Sequence, residues 1–234
     1  LPMRGELFDR MVSLVFPKGC VLCGATVAYD DLVCSRCTPD RREEHTCLFC
    51  GNPINRCLCE TRWDFDGAAA PLHYRAETRG AVLQLKKLPD RRIARYLAEE
   101  MYRCLRREFP HVAFDWITEV PMHPEKLQKR GFNQGEVLAA QLALLSGVFH
   151  RMRLLTCSGP LEYQHTLSRN ERFAAAQGRY ALAGDVRGKT VLLVDDVLTT
   201  GATAQACAAC LKEGGATGVY VLTAAATPLS HILP

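Results

Sequence analysis

The sequence predicts an α/β protein with a parallel sheet, preceded by a small cysteine-rich domain. Strand-like and helix-like patterns alternate from residue 67 onward, which is typical of parallel βα units. Eight of the twelve cysteines lie between Cys20 and Cys59, in a segment with few large apolar residues. We therefore expect an N-terminal helix over 1–17, a cysteine-rich domain over 18–62 and an α/β domain over 63–234.

Composition excludes two other classes of protein. The chain has 234 residues and is 48% hydrophobic, which is enough for a folded core and excludes a disordered protein. No stretch approaches the ~20 uncharged apolar residues of a membrane-spanning helix, so we expect no membrane insertion. The first apolar segment contains Glu6, Asp9 and Arg10, which is unlike a signal peptide. We therefore expect a cytoplasmic protein with reduced cysteines.

Hydrophobic periodicity predicts the individual elements. Apolar residues at helical spacing predict helices over 76–87 and 91–108. Further helices are expected over 133–145 and from Gly201 onward. Strands are expected at 67–74, 114–121, 151–155 and 190–196, and in the last apolar segment, V-Y-V-L-T-A-A.

The clustered cysteines form three C-x-x-C knuckles and one C-x-C pair. Two thiolates at a tight turn can bind one metal ion, and a second knuckle completes a tetrahedral zinc site without an open position. Sequential pairing predicts two structural Zn²⁺ ions, bound by Cys20, Cys23, Cys34 and Cys37, and by Cys47, Cys50, Cys57 and Cys59. The second site depends on the shorter C-x-C pair. The alternative is a set of free or disulfide-bonded cysteines.

Cys207 and Cys210 repeat the knuckle spacing in a different setting. They lie among alanines in a predicted helix, so we interpret them as packing residues and not as a third zinc knuckle.

Charge is distributed unevenly along the chain. Residues 1–66 carry a net charge of −2 and residues 67–234 a net charge of +6. Zinc-bound thiolates would make the net charge of the first part more negative. A polyanion such as single-stranded DNA is therefore expected to bind to the second part. The basic candidates are Arg79, Lys86, Lys87, Arg91, Arg92 and Arg95, with Tyr74, Tyr96 and Tyr102 for base stacking. The alternative is a solvated helix face with packed tyrosines.

The segment V-L-L-V-D-D-V-L-T-T-G-A-T at 191–203 carries the main chemical signal. An apolar strand is expected to end at two carboxylates, and a Thr/Gly loop then begins a helix whose N–H groups can bind phosphate. Carboxylates would repel a phosphate beside them unless they face vicinal hydroxyls or a metal ion. A ribose 5-phosphate provides both a phosphate for the helix N–H groups and vicinal hydroxyls for the carboxylates. The alternative is an ordinary strand–turn–helix with an acidic tip.

This segment resembles the phosphoribosyl pyrophosphate (PRPP) motif of type I phosphoribosyltransferases. Together with the cysteine knuckles, V-P-M-H-P-E-K-L-Q-K-R-G-F-N-Q-G-E and Q-H-T-L-S-R-N-E-R, it is similar to the competence protein ComF/ComFC/GntX family. The resemblance covers nearly the whole chain. It implies a parallel-sheet type I phosphoribosyltransferase fold behind a double zinc ribbon.

The resemblance also implies roles for individual residues. Asp195 and Asp196 would bind the ribose hydroxyls, and the 5′-phosphate cradle would comprise Val197, Thr199, Thr200, Gly201, Ala202 and Thr203. Met122 and His123 would lie in the pyrophosphate loop, although His123 could equally be an ordinary turn residue. The counter-charges would be Lys126, Arg130, and Arg169 and Arg172 from a lid, with Mg²⁺ bridging pyrophosphate and ribose oxygens.

The acceptor side departs from the family pattern. Ala175 stands where relatives usually have Asn, and Leu161 where Thr is common. Glu171 and His165 are the candidates for a general base, and the alternative is that both are solvated lid residues.

Two functional classes remain open. The first is a Mg²⁺-dependent phosphoribosyltransferase with an unidentified acceptor, associated with DNA uptake in natural competence. The second is a non-catalytic module that handles single-stranded DNA and uses PRPP as ligand or scaffold. Its partners could include other competence proteins, such as a helicase or a recombination loader. A PRPP-sensing repressor is a third idea, but no convincing helix-turn-helix segment precedes the sheet.

Overall fold

The computed structural model describes residues 18–43, 45–48, 57, 63–158 and 178–227. The helix expected over 1–17 therefore lies outside the described residues, as do Cys50 and Cys59 and the lid residues 159–177. Within the described part, none of the helices has the length and apolar character needed to cross a bilayer.

A parallel sheet forms the centre of the described residues. Its strands are β1 (Gly67–Ala69), β2 (Leu72–His73), β3 (Trp116–Glu119), β4 (Phe149–His150), β7 (Thr190–Leu198) and β8 (Gly218–Ala226). The order is β1-β8-β7-β3-β4, and β2 pairs with β8 beyond β1. A separate antiparallel pair consists of β5 (Leu155–Cys157) and β6 (Tyr180–Leu182). The parallel α/β fold class predicted from the sequence is confirmed.

The helices of the described residues are α1 (Ala76–Lys87), α2 (Arg91–Glu108), α3 (Pro124–Arg130), α4 (Gln134–Ser146) and α5 (Ala202–Glu213). The bounds of α1 and α2 agree with the prediction. The carboxylate of Asp90 caps α2 by accepting hydrogen bonds from the backbone N–H groups of Arg92 and Ile93. The predicted apolar face of α2 is buried, with Ile93, Leu97 and Met101 at most 1% exposed.

The helices cover both faces of the sheet. Because successive residues of a strand face opposite sides, Leu192 and Val194 of β7 pack with α1, α2 and α4. Val191 and Leu193 pack on the other side, with α5. Cys207 of α5 is fully buried in that second core, which confirms its interpretation as a packing residue.

Several strand predictions were wrong. β7 does not end at the acidic pair but continues through it to Leu198, because pairing with β8 resumes beyond the pair at Val197↔Ala225 and Leu198↔Ala226. The segment 67–74 is divided into β1 and β2 at Pro71, which has no N–H for the ladder.

The strand predicted over 151–155 was also wrong. The chain leaves the sheet after His150, and Arg153 has a φ of 55°, which an extended strand does not allow. The buried Glu119 carboxylate holds this turn. It accepts a hydrogen bond from the Arg153 N–H at 2.9 Å and contacts His150 Nε2 at 2.9 Å.

Polar contacts join the cysteine-rich segment to α2. Arg92 donates from its guanidinium to the carbonyl oxygens of Gly19 (2.6 Å) and Asp31 (2.8 Å). Arg41 makes a two-point contact with the carboxylate of Glu100 at 2.9 and 2.7 Å. Glu100 is 2% exposed, and Arg103 is its second cationic partner at 2.7 Å. The cysteine-rich segment is thus held by charge-assisted hydrogen bonds on one face of α2.

We expect Glu100→Gln to lower the free energy of unfolding by about 2 kcal/mol at pH 7, because it removes a buried charge from two arginines that remain partly exposed. Burial alone would raise the pKa of Glu100, but the hydrogen bonds from Arg41 and Arg103 outweigh it and lower the pKa. The stabilisation is therefore complete above the unfolded pKa of about 4.3 and is lost as pH falls through the lower folded value.

Urea unfolding of wild type and Glu100→Gln at several pH values measures this difference. The matched control is Glu99→Gln, because Glu99 is a less buried neighbour that pairs with Arg95. A Glu100→Gln effect no larger than the control, or one that does not shrink in acid, would contradict the prediction.

Candidate functional site

The acidic pair lies inside β7, where Asp195 is paired with Thr223 of β8. Since neighbouring strand residues face opposite sides, Asp196 is directed toward α1 and Asp195 toward α5. The Lys86 ammonium of α1 lies 2.7 Å from Asp196 Oδ2. The backbone N–H of Asp196 donates to Asp195 Oδ1 at 2.8 Å, which fixes the orientation of the Asp195 carboxylate.

The loop after β7 leads into α5 through Gly201. Gly201 has a φ of 83° and precedes the first helical residue, so the loop needs the freedom of glycine at this point. The N–H groups in the first turn of a helix have no acceptor within the helix. Around this turn, a cavity of about 140 Å³ is lined by residues that include Asp195, Val197, Thr199, Thr200, Gly201, Ala202 and Thr203. The structure therefore brings the predicted phosphate-cradle residues together.

A second cavity, of about 250 Å³, adjoins the first and shares Asp195 and Thr203 with it. It combines the acidic pair with several cations. The polar and turn residues that line it include Lys86, Met122, His123, Lys126, Arg130, Arg179, Asp195 and Asp196. The turn after β3 and the loop after β7 thus face one space, as the sequence predicts for the ends of neighbouring parallel strands.

The acidic pair is electrostatically crowded. Burial, followed by the adjacent Asp196 carboxylate, raises the pKa of Asp195 well above its ordinary value. For Lys86, burial alone would lower the pKa, but attraction to Asp196 and Asp195 outweighs it and raises the pKa. A ligand that donates hydrogen bonds to these carboxylates, or a cation between them, would relieve this repulsion.

The opposite side of the second cavity carries surplus positive charge. Partial desolvation, and then the nearby guanidinium groups of Arg179 and Arg130, lower the pKa of Lys126. A bound anion would reverse this effect, since it favours the charged ammonium. This side of the cavity is therefore suited to a polyanion.

The R-G-F-N-Q segment sets the position of the turn after β3. Asn133 caps α4 by accepting from the Gly135 N–H at 2.9 Å, and its amide donates to the Val120 carbonyl at 2.9 Å. Gly131 ends α3 with a φ of 84°. The guanidinium of Arg130 donates to the side-chain oxygen of Gln134. These contacts fasten the turn at 120–123 to the start of α4.

His123 has a local structural role that the sequence left open. Its Nδ1 accepts from the Glu125 N–H at 3.3 Å and so caps α3. The ring also lines the second cavity. His123 is therefore a turn residue that caps α3, and it also lines the cavity in which the pyrophosphate loop is predicted.

Sequence reasoning missed two cations of the site, Lys86 and Arg179. The sequence pattern predicts Lys86 on a DNA surface instead, and Arg179 belongs to no recognisable motif. Cys157 and Tyr180 also line the second cavity without having been expected there. The predicted residues His165, Arg169, Glu171 and Arg172 lie outside the described residues.

The predicted basic surface needs revision. The Lys86 side chain is only 28% exposed and contacts Asp196, while both Arg92 terminal nitrogens bind carbonyl groups of the cysteine-rich segment. Tyr96 is 4% exposed, so it packs in the core and cannot stack on a base. The residues of the predicted set that remain exposed are Arg79, Lys87, Arg91 and Arg95.

The first cysteine set has the arrangement of a metal site. The Sγ atoms of Cys20, Cys23, Cys34 and Cys37 all lie within 4.8 Å of one another. Cys23 Sγ and Cys34 Sγ are 3.7 Å apart, and a tetrahedral site with Zn–S bonds of ~2.3 Å has S···S edges of about 3.8 Å. Burial alone would raise the pKa of Cys20, but backbone N–H donors from Cys34, Cys23 and Leu22 lower it to about 6. The four residues could bind a zinc ion.

The second cysteine set is described only in part. Cys47 is 6% exposed, and both Cys47 and Cys57 pack with the core on the α5 side of the sheet. Cys50 and Cys59 lie outside the described residues. The second zinc site therefore stays a prediction.

Comparison with known proteins finds a matching domain family and several relatives. Residues 128–231 match the phosphoribosyl transferase domain family. The chain is 33% identical over 129 residues to the DNA utilization protein YhgH of Salmonella typhi, and this match spans 55% of the chain and 56% of that relative. It is 28% identical over 232 residues to YhgH of Escherichia coli strain K12, over 89% of the chain and 96% of that protein.

Solved phosphoribosyltransferases and related enzymes also resemble the chain. One is an adenine phosphoribosyltransferase, with 18% identity, a TM-score of 0.39 and coverage of 61% of the chain and 83% of that structure. Another is a glutamine phosphoribosylpyrophosphate amidotransferase from B. subtilis, with 23% identity, a TM-score of 0.37 and coverage of 56% and 26%. Residues 128–231 therefore carry a phosphoribosyl transferase domain, and the chain is similar to the YhgH proteins over most of its length, in agreement with the resemblance drawn from the sequence.

Proposed function

We propose that the protein binds PRPP with Mg²⁺ and transfers the phosphoribosyl group to an acceptor. One observation carries this proposal. Asp195 lines both the Thr/Gly cavity at the start of α5 and the adjoining cation-lined cavity, and Asp196 lines the second of these. PRPP has the same order of groups, with a phosphate at one end, two ribose hydroxyls in the middle and a diphosphate at the other end.

The 5′-phosphate binds in the first cavity. The N–H groups at the start of α5 and the hydroxyls of Thr199, Thr200 and Thr203 donate hydrogen bonds to its oxygens. Gly201 permits the turn that directs these N–H groups toward the cavity, since a residue with a Cβ would be strained at its φ of 83°. This binding positions the ribose over the acidic pair.

The carboxylates of Asp195 and Asp196 accept hydrogen bonds from the two ribose hydroxyls. Their crowding fits Mg²⁺ as well, because this ion prefers oxygen ligands and commonly uses one or two carboxylates together with ligand phosphates. When bound, Mg²⁺ neutralises charge on the departing diphosphate.

The diphosphate binds in the second cavity. The cations of Lys126, Arg130 and Arg179 favour the charge that develops on it. The bond between C1′ and the diphosphate oxygen breaks, and the electron pair leaves with the diphosphate. A nucleophilic atom of the acceptor forms the new bond to C1′ and loses its proton.

The acceptor side of this proposal rests on residues beyond the described part. Arg169 and Arg172 would cover the diphosphate, and Glu171 or His165 would take the acceptor proton. We further propose domain bounds of 18–62 and 63–234 and a cytoplasmic location for the protein. Zinc binds at the first cysteine set and, with Cys50 and Cys59, at the second.

Single-stranded DNA handling is a second candidate function. The observation that favours it is that several relatives are named DNA utilization proteins. Its surface is the exposed part of the basic helices, which consists of Arg79, Lys87, Arg91 and Arg95. The two functions are compatible, because this surface does not overlap the cavities.

We expect wild type to bind PRPP in the presence of Mg²⁺, and Asp195→Asn plus Asp196→Asn to weaken binding at least tenfold, since it removes both charged acceptors. Titration calorimetry measures this affinity, with Asp185→Asn as control because Asp185 is exposed and lines neither cavity. Turnover is tested by measuring the diphosphate released from PRPP in the presence of candidate acceptors, which are bases, amines and oligonucleotides. Equal PRPP affinity in all three proteins would refute the site.

Charge reversal tests the DNA surface. Arg79→Glu with Lys87→Glu and Arg91→Glu should weaken binding of single-stranded DNA and make the affinity less dependent on salt, because fewer phosphate contacts remain. Fluorescence anisotropy at several salt concentrations measures both effects. Arg92 is left intact since it fastens the cysteine-rich segment. An unchanged salt dependence would exclude this surface.

Metal analysis tests the cysteine sites. Wild type should contain about two zinc ions per chain and Cys23→Ser about one, because the loss of one thiolate opens the first tetrahedral site. Cys210→Ser is the control, since Cys210 lies on α5 outside both sets. A chelator should lower the unfolding temperature of wild type. A content of about one zinc ion in wild type would show that the second cysteine set binds no metal.

A further inference from the structure

Lys86 occupies an unusual place in the molecule. It lies in the last turn of α1, and its ammonium is 2.7 Å from Asp196 Oδ2. The Asp196 side chain is 7% exposed and the Lys86 side chain 28%. Among the described residues, Lys86 is the cation found within ion-pair distance of the acidic pair. Asp196 therefore has an internal counter-ion at the place where a ligand would bind.

This ion pair competes with the role proposed for Asp196. A carboxylate oxygen that contacts the Lys86 ammonium is less available to accept from a ribose hydroxyl. The ion pair also stabilises the ligand-free site, because burying Asp196 without a cation would be costly. Ligand binding must then either share or replace the contact with Lys86.

A second anion lies within the reach of Lys86 once a ligand is bound. Lys86 lines the same cavity as the Pro121–His123 turn and as Lys126, Arg130 and Arg179. A diphosphate in this cavity would bring several negative charges close to the Lys86 ammonium. The flexible stem of lysine permits the small movement from one anion to the other.

We propose that Lys86 is a positioning residue that exchanges partners, neutralising Asp196 in the empty site and the diphosphate of PRPP in the filled one. The exchange frees Asp196 for the ribose only when a ligand carries the diphosphate, so it makes the site selective for PRPP over ribose 5-phosphate. This inference rests on the proposed function.

Calorimetric titration of Lys86→Met with PRPP and with ribose 5-phosphate, both in Mg²⁺, tests the exchange. Methionine keeps most of the apolar stem and removes the charge. PRPP affinity should fall about tenfold, since one charge-assisted contact with the diphosphate is lost. Ribose 5-phosphate should bind as tightly as to wild type, or up to about threefold more tightly, because Asp196 no longer has a competing partner.

Two further variants serve as a matched control and as a charge-conserving substitution. Lys212→Met is the matched control, because Lys212 also lies in the last turn of a helix and contacts a carboxylate at 2.7 Å, that of Asp66, but lines neither cavity. Both affinities should stay at the wild-type value in this control. Lys86→Arg keeps the charge and should restore much of the PRPP affinity.

The outcomes separate this inference from the function on which it rests. If wild type does not bind PRPP, the proposed function fails and the inference with it. If wild type binds PRPP but Lys86→Met weakens both ligands equally, Lys86 only maintains the shape of the site, and the exchange is refuted. Unchanged PRPP affinity in Lys86→Met refutes it as well.

Discussion

The parallel pairing of β7 with β8 is the constraint on which the rest of the site depends. It continues past the acidic pair as far as Leu198↔Ala226, so the pair lies between paired residues of a strand and not in a loop. A strand directs neighbouring side chains to opposite sides, which places Asp196 against α1 and Asp195 against α5. The Gly201 turn then follows at a fixed distance and begins the helix whose N-terminus borders the first cavity.

The site is arranged so that charge changes sign along it. The acidic pair occupies the middle, while Lys126, Arg130 and Arg179 gather on the side of the turn after β3. The direction of the pKa shifts agrees with this separation, since the pKa of Asp195 is raised and that of Lys126 lowered in the absence of ligand. On each side, burial and then neighbouring like charge disfavour the charged form. A ligand with hydroxyls in the middle and phosphates outside would relieve both sides together.

The cysteine-rich segment is part of the same physical unit as the helices that flank the site. Arg92 and Glu100 of α2 bind its backbone and its Arg41, and the carboxylate of Asp40 pairs with Arg75 directly before α1. Apolar residues of the first cysteine set, such as Val21, pack in the core with α1 and α2. Metal binding in this segment would therefore support the packing of α1, the helix that carries Lys86.

The sequence by itself determined what depends on neighbouring residues. It predicted both bounds of α1 and α2 from apolar periodicity, the cysteine knuckles from their spacing, and the acid pair with its Thr/Gly loop from residue chemistry. Only the tertiary structure decided that β7 continues to Leu198, that β5 pairs with β6, and that Lys86 and Arg179 belong to the site. The physical reason is that strand pairing and ion pairing join residues far apart in the chain. Lys86 and Asp196 are neighbours only because α1 packs against the face of β7 to which Asp196 points.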